Sequence, residues 1–186
     1  TNKAVLAPSQ LYGGERENSR GWDLHSVTDL GELNTARDAF KNHIWSAGPL
    51  MVSVPSGGVV EDVVNPADPS DTPGRVVLAS ANDVATALDD AAPWEVSAKE
   101  RQTVLCKAAA LYEENFGEIF ALLTREAGKT PMDAIAELRE AVDFLRYYAA
   151  RGTELTAPAR GIFTCISPWN FPLAIFTGQI AAALAA

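Results

Sequence analysis

Apolar residues recur at helical spacing along much of the chain, and this periodicity predicts four helical segments. The first covers about residues 29–45, the next two precede residue 128, and the last covers about residues 132–151. The apolar residues that define these segments are Leu30, Leu33, Phe40 and Ile44; Val104, Leu105, Ala108 and Leu111; Ile119, Leu122 and Leu123; and Met132, Ile135, Leu138, Val142 and Leu145. On the last segment Glu140, Phe144 and Tyr147 also share a face, which predicts a helix enclosed between layers.

Capping residues mark where several of these helices begin and end. Ser97 followed by Glu100 forms a capping box, and Asn82 is the predicted cap of a short helix before it. Gly128 and Gly152 stand where the apolar stripes stop, and glycine readily adopts the left-handed conformation that ends helices. These signals predict an ordered helical region rather than a flexible linker.

Three short apolar runs predict β-strands. Residues 59–64 and 75–79 lie in a stretch rich in proline and glycine and together predict a hairpin-like β element. Residues 161–166 predict a buried strand, after which Pro172 suits the first turn of a helix that continues to Ala186. A strand followed by a helix is typical of an α/β fold.

Charge narrows the classes of function. The chain carries 24 acidic and 15 basic residues, a net charge of −9, which argues against a nucleic-acid-binding surface. Two histidines, His25 and His43, show no metal-ligand spacing, and two unpaired cysteines favour a reducing cytoplasm. No signal peptide is recognised. Because residues 161–186 contain no charge, we expect that segment to be buried in protein or in lipid.

The sequence Ser-Pro-Trp-Asn-Phe-Pro, residues 167–172, lies between the predicted strand and its helix. Ligands of open α/β sheets bind beyond the carboxyl ends of strands, which is where Asn170 is expected. Its neutral amide can stabilise an oxyanion, and Trp169 and Phe171 could wall a pocket. The alternative is a proline-rich turn in which Asn170 only satisfies loop backbone.

This motif and the alanine-rich helix after it resemble the signature of the aldehyde dehydrogenase superfamily. Residues 64–67, 81–84 and 126–130 resemble the N-terminal half of the same family. The resemblance implies an oxyanion-hole role for Asn170, a place for Ile166, Ser167, Pro168 and Trp169 beside the nicotinamide ribose of NAD, and a place for Phe171 against the aldehyde chain.

Within that superfamily, residues 11–19, 21–24 and 134–144 resemble the bifunctional enzymes of proline breakdown. The resemblance implies oxidation of L-glutamate γ-semialdehyde to L-glutamate by a homo-oligomeric parent, with FAD in a separate proline dehydrogenase domain. Glu140 is then the candidate partner of the substrate ammonium group, with Glu137 as the second choice. A solvated helix acid is the alternative for Glu140.

The nucleophilic cysteine and general-base glutamate that the family implies are expected beyond Ala186, so the fragment alone is expected to be inactive. Cys106 and Cys165 are both predicted to pack in the core. Residues 128–130, Gly-Lys-Thr, imitate a phosphate-binding loop, but Leu123 stands where its first glycine is required.

We therefore predict an α/β fold, the N-terminal portion of an aldehyde dehydrogenase, with a β element, helices and the first strand and helix of an incomplete NAD-binding domain. Residues 1–58 are predicted to be a lead-in with one helix, and residues 59–186 to belong to that domain. The alternatives are an aldehyde dehydrogenase of other specificity, a non-enzymatic interaction module, and a membrane anchor at residues 161–186. The expected location is cytoplasmic, or peripheral at the inner membrane.

Overall fold

The computed structural model describes residues 4–186, which form a mixed α/β structure of helices packed beside one small sheet. A short 3₁₀ helix, Pro8–Gln10, precedes the first α-helix. The remaining elements in chain order are α1 (Val27–Asp38), β1 (Trp45–Ala47), β2 (Val60–Val63), β3 (Gly74–Val77), α2 (Ala81–Asp89), α3 (Ala98–Glu114), α4 (Phe116–Arg125), α5 (Pro131–Gly152) and α6 (Ala174–Ala185). The predicted fold class is confirmed.

Helix α5 is the centre of the core. Thr130 accepts a hydrogen bond from the Asp133 N–H and so caps its start, while Pro131 needs no N–H in the first turn. The helix packs against α3, α4 and α6, as expected for a helix with apolar residues on more than one face. The apolar stripe is confirmed for Ile135, Leu138, Val142 and Leu145, which are buried, but wrong for the exposed Met132.

Residues from the predicted lead-in also enter this core. Trp22 packs against Phe116 and Phe120 with ring centroids 5.1 and 5.2 Å away, and Leu33 of α1 is buried. Burial of such large side chains excludes water from the junction of α1 and α4. The predicted boundary at residue 58 stays a prediction.

The sheet has the strand order β1-β3-β2. Strands β2 and β3 pair antiparallel, with Val60 opposite Val77, which confirms the predicted hairpin-like β element. Strand β1 pairs parallel with β3. The predicted helix over residues 29–45 is therefore too long: α1 ends at Asp38, and Trp45 instead donates its N–H to the Pro73 carbonyl. Sheet pairing with a distant segment overrides the local helical pattern.

One predicted cap is confirmed and one is wrong. Ser97 and Glu100 form a complete capping box at the start of α3. At α2 the cap is Ser80, paired with Asp83, and Asn82 already lies inside the helix. The buried Asp83 carboxylate also accepts hydrogen bonds from Ser56, and these bonds hold the pKa of Asp83 well below its usual range. Helix α2 is thereby tied to the loop before β2.

The predicted strand at residues 161–166 is wrong, because this stretch is irregular in the structure. A strand requires a hydrogen-bonding neighbour, and the three-stranded sheet does not include these residues. The expected burial of the charge-free segment is also wrong over its first half, since Ile162, Phe163 and Ile166 are exposed. Among residues 4–186, no helix combines the length and apolar character needed to cross a bilayer.

An ion pair between Arg125 and Asp71 ties α4 to the loop between β2 and β3. The two side chains form two hydrogen bonds of 2.7 and 3.0 Å, and Arg125 also donates to the Phe40 and His43 carbonyls. Hydrogen bonds from Arg125 and, secondarily, from Asn65 lower the pKa of Asp71 from 3.8 to about 2. The folded state therefore favours the ionised carboxylate.

The effect of pH on stability follows from this lowered pKa. Asp71 stabilises the fold fully above pH 3.8, its ordinary pKa, and the contribution is lost as the pH falls toward 2. We expect Asp71→Asn to lower the unfolding free energy at pH 7, and the difference from the unsubstituted protein to shrink between pH 4 and pH 2. Urea unfolding at several pH values, followed by tryptophan fluorescence, measures this difference.

Asp62→Asn is the matched control, because Asp62 pairs with Arg75 where both side chains are more than half exposed. Exposed pairs contribute little, so its unfolding free energy should follow the unsubstituted protein at every pH. A constant offset for Asp71→Asn down to pH 2 would show that the carboxylate charge is not what stabilises this junction.

Candidate functional site

The Ser-Pro-Trp-Asn-Phe-Pro segment forms a turn at the start of α6. The Phe171 N–H donates to the Pro168 carbonyl at 3.1 Å, and α6 begins at Ala174. Asn170 lies in this turn and is exposed, and its side-chain amide forms no hydrogen bond within residues 4–186. The structure thus does not place the amide at a strand end or inside a closed cleft, as we had expected, but leaves it free to donate.

Glu137 of α5 holds the start of α6. Its Oε2 atom accepts hydrogen bonds from the N–H groups of Leu173 and Ala174 at 3.3 and 2.8 Å. Helix α6 has no side-chain cap of its own, so this carboxylate satisfies N–H groups that the helix leaves unpaired. A negative charge is also favourable at the positive end of the helix dipole.

Lys129 links Glu137 to the turn itself. Its Nζ lies 3.1 Å from Glu137 Oε1 and donates to the Asn170 carbonyl at 2.6 Å. The Glu137 side chain is only 2% exposed and that of Lys129 15%, so the pair is poorly screened by water. The same Nζ lies 4.8 Å from the centroid of the Phe171 ring, a favourable cation–π distance.

A left-handed turn directs Lys129 toward this position. Gly128 has φ +64°, and the Lys129 N–H donates to the Leu123 carbonyl at 3.0 Å, which confirms the predicted glycine cap after α4. A side chain at Gly128 would also lie 2.9 Å from Pro66, so the position favours glycine on two grounds.

Two contacts fix the other side of the turn. Gln179 of α6 donates its Nε2 to the Ile166 carbonyl at 2.9 Å and so holds residues 161–166 against the helix. Gly178 allows α6 to approach α5 closely, since a Cβ there would lie 2.8 Å from Phe144. The turn is therefore attached to α5, to α6 and to the loop after α4.

The two candidate glutamates differ sharply in environment. Glu137 is buried and already engaged, which disfavours it as the partner of a substrate ammonium group. Glu140 lies one helical turn further along α5, is exposed, and forms no hydrogen bond or ion pair within the described part of the chain. Residues three apart on a helix are surface neighbours, so Glu140 lies close to the carboxylate that holds the turn.

Ile166, Ser167, Pro168 and Trp169 are not buried, and Trp169 is 88% exposed. Their open, uncharged surface fits a neutral nicotinamide and its ribose. It does not supply a site for the phosphates, and Lys129 is not free for one because it is paired with Glu137. The chain therefore fits one part of NAD.

The cysteine prediction is wrong for Cys106, which is exposed on α3, whereas Cys165 is half-buried. Its neighbours Val104 and Leu111 are also largely exposed, so α3 packs through Leu105 and Ala109 instead. No cluster of three or more metal-binding side chains occurs among residues 4–186.

Sequence reasoning missed the role of Lys129, although it singled out residues 128–130 as a false phosphate-binding loop. The useful signal was the glycine cap directly before a lysine, which shows where that side chain starts. Glu137 was considered only as a ligand for substrate, because its bonds to residues 173 and 174 depend on how two helices pack.

Comparison with known proteins agrees with this geometry. "Bifunctional protein PutA" from Klebsiella aerogenes is 46% identical over 98% of this chain and 15% of its own length. "1-Pyrroline-5-carboxylate dehydrogenase" from Anoxybacillus flavithermus is 35% identical over 65% of this chain and 28% of its own length. The chain thus spans about one seventh of PutA relatives.

Solved structures show the same similarity. A Bradyrhizobium japonicum proline utilization A variant superimposes with a TM-score of 0.74 at 33% identity, covering 100% of this chain and 18% of that one. Thermus thermophilus 1-pyrroline-5-carboxylate dehydrogenase gives a TM-score of 0.75 at 26% identity, covering 91% of this chain and 37% of that one. The model of the aldehyde dehydrogenase family matches residues 54–186. The chain therefore belongs to the aldehyde dehydrogenase family.

Proposed function

We propose that this chain is part of an enzyme that oxidises L-glutamate γ-semialdehyde to L-glutamate with NAD, in the breakdown of proline. Relatives named PutA and 1-pyrroline-5-carboxylate dehydrogenase support this substrate class. The observation that carries the proposal is the unpaired amide of Asn170, presented on a turn whose backbone is held by Lys129 and Glu137. Such a turn suits a fixed hydrogen-bond donor.

Asn170 is the oxyanion donor in this proposal. When a cysteine thiolate adds to the aldehyde carbon, the carbonyl oxygen gains negative charge, and the neutral amide can donate Nδ2–H to it without a proton transfer. The family's nucleophile and general base are assigned to no residue of this chain, because Cys106 is exposed on the outer face of α3 and Cys165 lies in the irregular segment.

Residues 166–169 border the nicotinamide ribose in this proposal, and Phe171 contacts the carbon chain of the aldehyde. NAD, when bound, accepts the hydride that leaves the substrate carbon. The exposed apolar surface of Ile166 and Trp169 would exclude water from that side of the reacting carbon.

Glu140 binds the α-ammonium group of the substrate in this proposal. Its carboxylate is free to pair with a cation, whereas Glu137 is not. A charged pair with a hydrogen bond contributes about 1.5–3 kcal/mol, which corresponds to about 10-fold to 100-fold in affinity.

We therefore expect Glu140→Gln in the complete enzyme to lower kcat/KM for glutamate semialdehyde by about 10-fold to 100-fold. Propanal, which lacks the ammonium group, should lose less than about threefold. NADH formation followed by absorbance measures both substrates, and the exposed Glu114→Gln on α3 is the matched control.

Equal losses with both aldehydes would contradict the role of Glu140. If the unsubstituted enzyme prefers an aldehyde without an ammonium group, the chain belongs to a dehydrogenase of other specificity. The relatives named bifunctional also support a parent with a separate FAD-containing proline dehydrogenase domain, whose proline-dependent dye reduction tests that part of the proposal.

A further inference from the structure

Lys129 and Glu137 form one polar group around the turn, and neither faces open solvent. Glu137 accepts two N–H bonds from the start of α6, and Lys129 bridges Glu137 Oε1 to the Asn170 carbonyl. We call this pair the turn clamp. Its three attachment points lie at residues 170, 173 and 174, so it restrains both the turn and the first residues of α6.

The clamp acts on the backbone of the residue whose side chain is proposed to react. Lys129 holds the carbonyl of Asn170, which leaves the side-chain amide of Asn170 free. Because the carbonyl and the side chain of one residue share the same Cα, fixing the carbonyl direction restricts where the amide can point. The amide gains a defined direction without losing a donor.

We propose that Lys129 and Glu137 are positioning residues that set the direction of the Asn170 amide, an inference that rests on the proposed oxyanion role of Asn170. Binding alone does not need this arrangement, but catalysis does, because an oxyanion donor works only within a narrow range of distances. A misplacement of about 1 Å can lower a rate by about 100-fold.

The clamp should therefore affect kcat more than KM. We expect Lys129→Met and Glu137→Gln to lower kcat by about 10-fold to 100-fold in the complete enzyme, with less than about threefold change in KM for the aldehyde. Lys129→Arg keeps a cationic donor and should restore most of kcat. Lys107→Met, an exposed lysine on α3, is the control.

A background that lacks the Asn170 amide separates positioning from general loss of structure. In an Asn170→Ala enzyme the clamp has no amide to direct, so adding Lys129→Met or Glu137→Gln should lower kcat no further than about twofold. A clamp that merely stabilises the fold would lower kcat by the same factor in both backgrounds.

The outcomes are distinct. If Asn170→Ala leaves kcat unchanged, the oxyanion role fails and the clamp proposal fails with it. If Asn170→Ala lowers kcat but both clamp variants keep full kcat, or lower it equally in both backgrounds, the clamp alone is overturned. Should Glu137→Gln fail to fold, the Lys129→Met and Lys129→Arg pair decides, since Lys129 lies on a loop.

Discussion

Replacing Asn170 by alanine should lower kcat of the complete enzyme by about 100-fold to 1000-fold, because removing one oxyanion donor costs about that factor. KM for the aldehyde should change little, since the donor interacts most strongly with the charge that develops in the transition state. Steady-state NADH formation, under conditions in which the chemical step limits the rate, measures both constants.

Asn115→Ala is the matched control for this experiment. Asn115 is also an exposed asparagine between two structural elements, but its side chain donates to the Leu111 carbonyl at the end of α3. We expect its kcat to stay within about twofold of the unsubstituted enzyme. An unchanged kcat for Asn170→Ala would refute the oxyanion role and leave the turn as loop structure alone.

The largest expected effect on stability comes from Phe120→Ala. Phe120 is 1% exposed and lies between Trp22 and Phe116, with ring centroids 5.2 and 5.8 Å away. Removing a buried phenylalanine costs about 3–5 kcal/mol through lost burial and the cavity left behind. Urea unfolding followed by tryptophan fluorescence reports on this site, because Trp22 contacts the substituted ring.

Val27→Ala is the control, since Val27 is 88% exposed at the start of α1. It should change the unfolding free energy by less than about 0.5 kcal/mol. A loss below about 1 kcal/mol for Phe120→Ala would mean that the Trp22 cluster does not join the lead-in to α4, contrary to the packing described above.

Local signals predicted much of the fold correctly. The Ser97 capping box, the glycine cap at Gly128 and the hairpin-like pair of strands all depend on residues close in sequence. A cap or a tight hairpin is decided by a few neighbouring backbone groups, so its residues carry most of the information.

Elements that depend on distant partners were predicted poorly. Trp45 fits a helical stripe, yet it begins a strand because β3 provides hydrogen-bonding partners 29 residues further along, at Gly74. Residues 161–166 have strand-like composition but no neighbouring strand in the described sheet. Cys106 follows the apolar pattern of α3, but the side of α3 that faces α5 was set by helix packing.

The sequence by itself determined the family resemblance, the turn that carries Asn170, and the residue types available for chemistry, because these are properties of contiguous residues. Only the tertiary structure decided which of two glutamates on α5 is free. Three residues separate Glu137 from Glu140, and the packing of α6 buries the first against Leu173 and Ala174 while leaving the second exposed. A carboxylate's availability depends on what covers it, and that covering comes from a helix more than thirty residues away.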